Sequence, residues 1–255
     1  MNFLTATHTD VGIKKKTNQD SMLVQQAATD FGNVLLAVIC DGMGGLSNGE
    51  LASAAVIRDF SAWFKGELPE LLYAGLRQEA LEESWRDLID ASNRRISDYS
   101  ERLNVKMGTT CVALLVVGNT YYIINIGDSR VYLATNDLYQ LTKDQTFIQQ
   151  EMDANRMTYE QAMNDPRRNV LLQCIGASDY LEPDFFMGTV QPNQSFLLCS
   201  DGFRHIIEPR EIFERVGPAA CISAAVMKKN LVYLTELNKQ RRETDNISAI
   251  AIKTY

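Results

Sequence analysis

The sequence predicts an α+β fold in which helices cover mainly antiparallel sheets. Three observations carry that prediction. The 255-residue chain is 45% hydrophobic and 22% charged, which is enough to bury a sizeable core and too apolar for disorder. Strand-like segments fall in groups joined by short turns, as antiparallel hairpins require. Helix-periodic segments come as long inserts between those groups and not after every strand, unlike a doubly wound parallel sheet.

Taken in order, residues 3–10, 20–28 and 33–40 read as strands, rich in β-branched and aromatic residues and bounded by Gly, Asn or Asp. Residues 49–64 place Ala52, Ala55, Val56, Phe60, Trp63 and Phe64 on one helical stripe. Residues 76–103 do the same with Leu81, Trp85, Leu88, Ile89, Ile96 and Tyr99. Strands resume at 110–118, 120–127 and 130–135. Residues 144–175 then change character, being polar and charged, with Met152, Met157 and Met163 in short helical patches. They read as a flap leaving the sandwich, so residues 1–255 are expected to form a single domain. Strands at 184–190 and 195–200, a helix at 218–240 and a strand at 246–253 complete the order. No internal repeat or low-complexity segment interrupts it.

A net charge of −7, from 25 basic and 32 acidic residues, disfavours a nucleic-acid binder, which needs a basic surface. The five cysteines, Cys40, Cys111, Cys174, Cys199 and Cys221, are odd in number and lack C-x-x-C spacing. Buried reduced thiols explain them better than disulfides or zinc. The start, Met1-Asn2-Phe3-Leu4-Thr5, has neither a charged n-region nor an apolar h-region. No apolar run approaches membrane-spanning length, so a cytoplasmic protein free of membrane is expected.

Three apolar runs end on an aspartate followed by Gly or Ser: Asp41-Gly42, Asp128-Ser129 and Asp201-Gly202. A single Asp-Gly is commonly just a turn. Asp245-Asn246, by contrast, opens the last strand. In an antiparallel sheet, outgoing strand ends and incoming strand starts share an edge, which puts four carboxylates on one rim. They would repel one another unless cations neutralise them, so the rim reads as a metal centre.

With those residues in place, the chain resembles the metal-dependent type-2C serine/threonine protein phosphatases in their bacterial form. The resemblance rests on Asp10-Val11-Gly12 with Asn18-Gln19-Asp20, on Asp41-Gly42-Met43-Gly44-Gly45, and on Gly108-Thr109-Thr110. Ile126 to Arg130, Leu141 to Asp144, Arg168 to Leu171, Ser200-Asp201-Gly202 and Asp245-Asn246 follow in the family's order. It implies a four-layer α-β-β-α sandwich and two or three manganese or magnesium ions. It further implies that Asp41 bridges two metals, with the Gly42 carbonyl on one and Asp201 and Asp245 on the other. Asp20 would hold a metal-bound water, and Asp128 with Asp201 a third metal. The implied reaction is hydrolysis of protein phosphoserine and phosphothreonine by a dimetal-bound hydroxide, reversing a serine/threonine kinase. A monomer acting on phosphoprotein substrates is expected.

Where the family carries an arginine for substrate phosphate, this chain has Lys15, within Lys14-Lys15-Lys16. Lysine supplies a point charge without arginine's bidentate fork. Lys15 is therefore expected to serve catalysis and substrate binding, with Arg168 near the flap as a second phosphate contact. Met43 and Gln145 stand where histidine is frequent, and Gln19 where glutamate is common. His8 shares strand parity with Asp10 and His205 follows Asp201 closely, which leaves the general acid open. Two other readings stand beside a general phosphatase. One is a catalytically weak phosphopeptide-binding module, the other a dedicated phosphatase of a stress or sporulation partner switch. Retention of Asp41, Asp201 and Asp245 argues against the first of these.

Overall fold

Strand β3 (Gly32–Gly44) shows why the apolar runs do not alternate with polar residues. Leu35, Ala37 and Ile39 face one apolar layer while Leu36, Val38 and Cys40 face another, so both faces are buried. The computed structural model of the chain describes residues 1–44 and 48–255. Gly45, the last residue of the Asp41 motif, thus lies outside the described residues.

One sheet runs in the order β1 (Phe3–Asp10), β11 (Ile247–Thr254), β10 (Ser195–Cys199), β7 (Arg130–Ala134) and β8 (Leu138–Gln140). The second runs β2 (Asp20–Thr29), β3, β5 (Cys111–Val117), β6 (Thr120–Ile126) and β9 (Asp184–Thr189). Short β4 (Met107–Thr109) pairs with the end of β3. The strand pairs of the described residues are antiparallel, as hairpin-linked strands demand. Between the sheets Leu35, Leu114, Phe196 and Ile250 interdigitate, and Tyr121 meets Phe196 edge-on at 5.5 Å.

Helices α1 (Gly49–Tyr73) and α2 (Gln78–Leu103) cover the second sheet, with Trp85 packed on Phe60 and Trp63. Helices α5 (Asp201–Arg204), α6 (Pro209–Val216) and α7 (Ala224–Gln240) cover the first, burying Phe203, Leu231 and Leu234 against Leu197 and Cys199. The result is the expected helix–sheet–sheet–helix stack. The flap segment carries α3 (Phe147–Asp153) and α4 (Tyr159–Asn164), each opened by a threonine cap, Thr146 and Thr158.

Several boundaries differ from the sequence reading. α1 runs on to Tyr73 through Pro69, because Leu68 and Leu72 continue its buried stripe. α7 starts only at Ala224, where Ser223 Oγ accepts from the Val226 N–H at 3.3 Å. α6 was not expected, although Pro209 in its first turn and the reciprocal Glu208–Glu211 capping box are start signals. β4 and β8 are too short to show a period.

Candidate metal centre and active site

Register brings the rim together. Asp20, the first residue of β2, and Asp41, three residues before the end of β3, are direct cross-strand partners. Cys199 pairs with Ala249, so the chain leaving β10 into Asp201 meets the chain entering β11 after Asp245 on one edge. Asn246 fastens that edge: its Oδ1 accepts from the Gln19 N–H at 2.9 Å, and its Nδ2 donates to the Val11 and Thr17 carbonyls. The same edge tolerates no side chain at two glycines. A Cβ on Gly12, at φ +77°, would lie 2.2 Å from the Asp245 carbonyl oxygen, and one on Gly202 2.2 Å from that of Asn246.

Gly42 sits in an equally tight place. Its N–H donates to the Gln19 carbonyl at 3.1 Å, and a Cβ would lie 2.3 Å from the Gly49 carbonyl oxygen. The start of α1 therefore packs on the backbone that the sequence assigns to a metal. Asp41 is fixed from the other side, its N–H donating to Thr110 Oγ1 and its carbonyl accepting from the Thr110 N–H and Thr109 Oγ1.

The carboxylates are crowded. Burial, with the charges of Asp201 and Asp245 nearby, pushes Asp20 up to about 7 even though Ser200 Oγ donates to its Oδ2 at 3.0 Å. Burial and the facing Asp20, Asp201, Asp128 and Asp245 hold Asp41 well above the carboxylate range. Asp128 is pushed up to about 7 by burial and Asp201, against the pull of Arg204. Asp20 Oδ1 and Asp201 Oδ1 are buried acceptors with no hydrogen-bond partner. Orphaned, mutually repelling oxygens of this kind fit hard divalent cations, for which oxygen ligands are the natural set. Among the described residues no three Asp, Glu, His or Cys side chains yet close on a single point.

Lys15 does reach this rim, with Nζ 2.9 Å from Asp245 Oδ1. Burial pulls its pKa down, but Asp245, backed by Asp41 and Asp201, leaves it raised overall. Arg168 is instead exposed in the flap, donating its backbone N–H to the Asp165 carbonyl. The structure gives it no side-chain contact with the rim among the described residues.

The two histidines differ. His8 Nδ1 lies 3.1 Å from Lys228 Nζ on α7, and Asp10 pairs with Lys239 of the same helix. The shared parity of His8 and Asp10 holds, but the face they share is the one towards α7. His205 sits between Asp201 Oδ2 at 3.4 Å and Glu243 Oε2 at 3.5 Å. Burial lowers its pKa, yet Glu243 and Asp201 leave it raised.

Sequence reasoning missed Arg204, a buried guanidinium that donates to the Asp128 carbonyl at 3.0 Å and to Asp144 Oδ2 at 3.2 Å. Arg130 holds Asp144 bidentately at 2.7 Å on both arms. Gln145 occupies its position for structural reasons: its Oε1 accepts from the Gly127 N–H at 2.8 Å, and its Nε2 donates to Asp184 Oδ2 at 2.9 Å. The Gln19 amide donates to Glu50 at 3.4 Å, so a carboxylate lies beside the position it took from glutamate. Spacing alone signalled none of these links, because each joins residues far apart in the chain.

Residues 10–234 match the family model described as protein phosphatase 2C. The chain is similar to the serine/threonine phosphatase Stp of Listeria monocytogenes, 34% identical over 225 residues, covering 87% of this chain and 85% of that one. Among solved structures, it superposes on the Mycobacterium tuberculosis serine/threonine phosphatase PstP/Ppp with a TM-score of 0.80 at 29% identity, covering 99% and 98% of the two chains. A structure of the catalytic domain of PstP in complex with two manganese ions gives a TM-score of 0.75 at 28% identity, with 98% and 97% covered.

Proposed function

This chain belongs to the protein phosphatase 2C family, and we propose that its phosphoryl chemistry takes place at the rim formed by Asp20, Asp41, Asp128, Asp201 and Asp245. The protein is a metal-dependent serine/threonine protein phosphatase, with manganese or magnesium as cofactor. The observation that carries the assignment of its site is the pair of buried, partnerless oxygens, Asp20 Oδ1 and Asp201 Oδ1, among carboxylates that raise one another's pKa.

Asp41, the Gly42 carbonyl, Asp201 and Asp245 would hold two cations, and Asp128 with Asp201 a further one. Bound there, divalent metal would neutralise the rim, acidify water for attack on phosphorus and polarise the phosphoryl oxygens. Asp20, held by Ser200, has one oxygen left free that would orient such a water. Lys15 brings positive charge to the edge where the phosphate docks, and it can leave Asp245 once that carboxylate is otherwise engaged. Asn246 keeps Gln19 and the first-block loop in register with Asp245, so the anion and metal contacts stay aligned. Arg168 reaches phosphate only if the flap folds over the rim.

The wider role we infer is reversal of a serine/threonine kinase by a cytoplasmic monomer, with residues 1–255 as one phosphatase domain and residues 144–175 as its flap. No helix among the described residues is long and apolar enough to cross a membrane. The test is hydrolysis of phosphoserine and phosphothreonine peptides, abolished by exhaustive chelation and restored by manganese. Alkylation of thiols should leave the rate unchanged, since four of the five cysteines are buried. Chelator-resistant turnover, or loss of turnover on alkylating the partly exposed Cys174, would overturn the assignment.

A further inference from the structure

A cavity of about 780 Å³ opens between α1, α2 and β2, on the helical side of the sheet. Its size falls within the range of small-molecule sites, roughly 300–1,000 Å³. Leu51, Ala55 and Arg58 line it from α1 at helical spacing, and Arg95, Tyr99 and Arg102 line it from α2 at the same spacing. Met107, buried in the helical-side core, closes the inner end with a soft apolar surface. Leu51 and Tyr99 remain exposed at the mouth.

Charge is what makes this cavity unusual. The chain carries a net charge of −7, yet among the described residues the lining holds three arginines and no acidic residue. Arg95 is already paired with Asp59, whose carboxylate also takes a hydrogen bond from Ser92. Arg58 and Arg102 have no ion pair among the described residues, and Arg102 gives only its Nε to the Asp98 carbonyl. Two guanidinium forks are thus free at the entrance of an apolar hole.

We propose that this cavity binds a single-chain anionic amphiphile, with the acyl tail between Leu51, Ala55 and Tyr99 and the anionic head on Arg58 and Arg102. An inorganic anion would leave the apolar walls unused, and a neutral lipid would leave the guanidiniums unused. A peptide would carry backbone N–H and C=O groups into walls whose one neutral hydroxyl besides that of Tyr99, among the described residues, is Ser21. Planar guanidinium recognises carboxylate or phosphate through paired hydrogen bonds, so either headgroup satisfies the site. The wall also adjoins the rim: Ser21 hydrogen-bonds Ser53 at 2.9 Å, and Ser53 Oγ donates to the Gln19 carbonyl at 2.7 Å. Occupancy is therefore positioned to bear on the backbone that holds Gly42.

Calorimetric titration of the full chain with dodecanoate tests the proposal, with magnesium present and excess inorganic phosphate filling the rim. One dodecanoate should bind per chain, while acetate and dodecyltrimethylammonium do not saturate. The double change Arg58→Gln with Arg102→Gln should weaken binding by at least about tenfold. Leu51→Asp, which keeps both guanidiniums, should weaken it as well, with circular dichroism showing both variants folded. Dodecanoate affinity unchanged in the arginine variant, or equal binding of the cationic amphiphile, would overturn the site. Binding to phosphatidylglycerol vesicles without binding of free dodecanoate would likewise overturn it, in favour of a membrane surface.

Discussion

Lys15 Nζ lies 2.9 Å from Asp245 Oδ1, so a side chain expected to meet phosphate is held by one expected to meet metal. The ammonium partly neutralises a rim whose carboxylates otherwise face one another. Any cation that binds Asp245 therefore competes with Lys15.

Lys15→Ala should move two constants in opposite directions. The KM for phosphopeptide should rise by about tenfold as the phosphate loses a charge-assisted contact. Magnesium affinity, read by calorimetry, should tighten severalfold because a competing cation is gone. Lys15→Arg should keep turnover with an equal or lower KM. Wild-type values for both constants in Lys15→Ala would reduce the pair to an exposed ion bridge of little worth.

Asp41→Asn and Asp201→Asn are expected to cut kcat by roughly two orders of magnitude or more by removing ligands. Without metal, both variants should melt at or above the wild-type temperature, because each removes charge from a crowded cluster. Scanning calorimetry in chelator decides the point. A large fall in Tm would mean that these aspartates serve as structural turns.

The raised carboxylates fix the pH dependence of the metal-free protein. Asp20 and Asp128 titrate at about 7 in the folded state against 3.8 in the unfolded chain, so the folded state holds more protons between those values. Stability must then fall as pH rises through that window, opposite to an ordinary salt-bridged aspartate. Tm in chelator should drop on the order of 5 °C or more from pH 5 to pH 8. Saturating magnesium should flatten the decline. A chelated protein that gains stability over that range would refute the crowding.

Gln145→Ala tests the support beneath Asp128. It leaves the buried Gly127 N–H without its acceptor and Asp184 without its donor, at a cost of about 2–3 kcal/mol. For a chain of this size that corresponds to a Tm loss of roughly 5–10 °C. A silent variant would show that the turn holds itself.

The layers were legible because both-face burial leaves unbroken apolar runs such as Val34 to Cys40, and because α2 repeats its stripe over many turns. The rim was legible because strand-terminal aspartates recur. What stayed hidden depends on distant partners. Arg204 is unremarkable in sequence, and only folding brings it to Asp128 and Asp144. The pairing of His8 with Lys228 spans most of the chain, so strand parity gave its face without saying what covers that face. α6 was a different kind of omission: its proline and capping-box glutamates were present, but a two-turn helix carries too little periodicity to outweigh its charge.

β11, last of the strands in chain order, lies in the interior of its sheet, between β1 and β10. During synthesis β1 therefore waits unpaired until β11, which follows the other ten strands in the sequence, has left the ribosome. Until then β1 and β10 expose raw edges, the surfaces by which nascent chains stick to one another. Because Asp245 and Asn246 emerge together with that strand, the rim is completed only when the sheet closes. A chain made only as far as β10 thus lacks both the strand that joins its sheet and the Asp245 edge of the carboxylate rim.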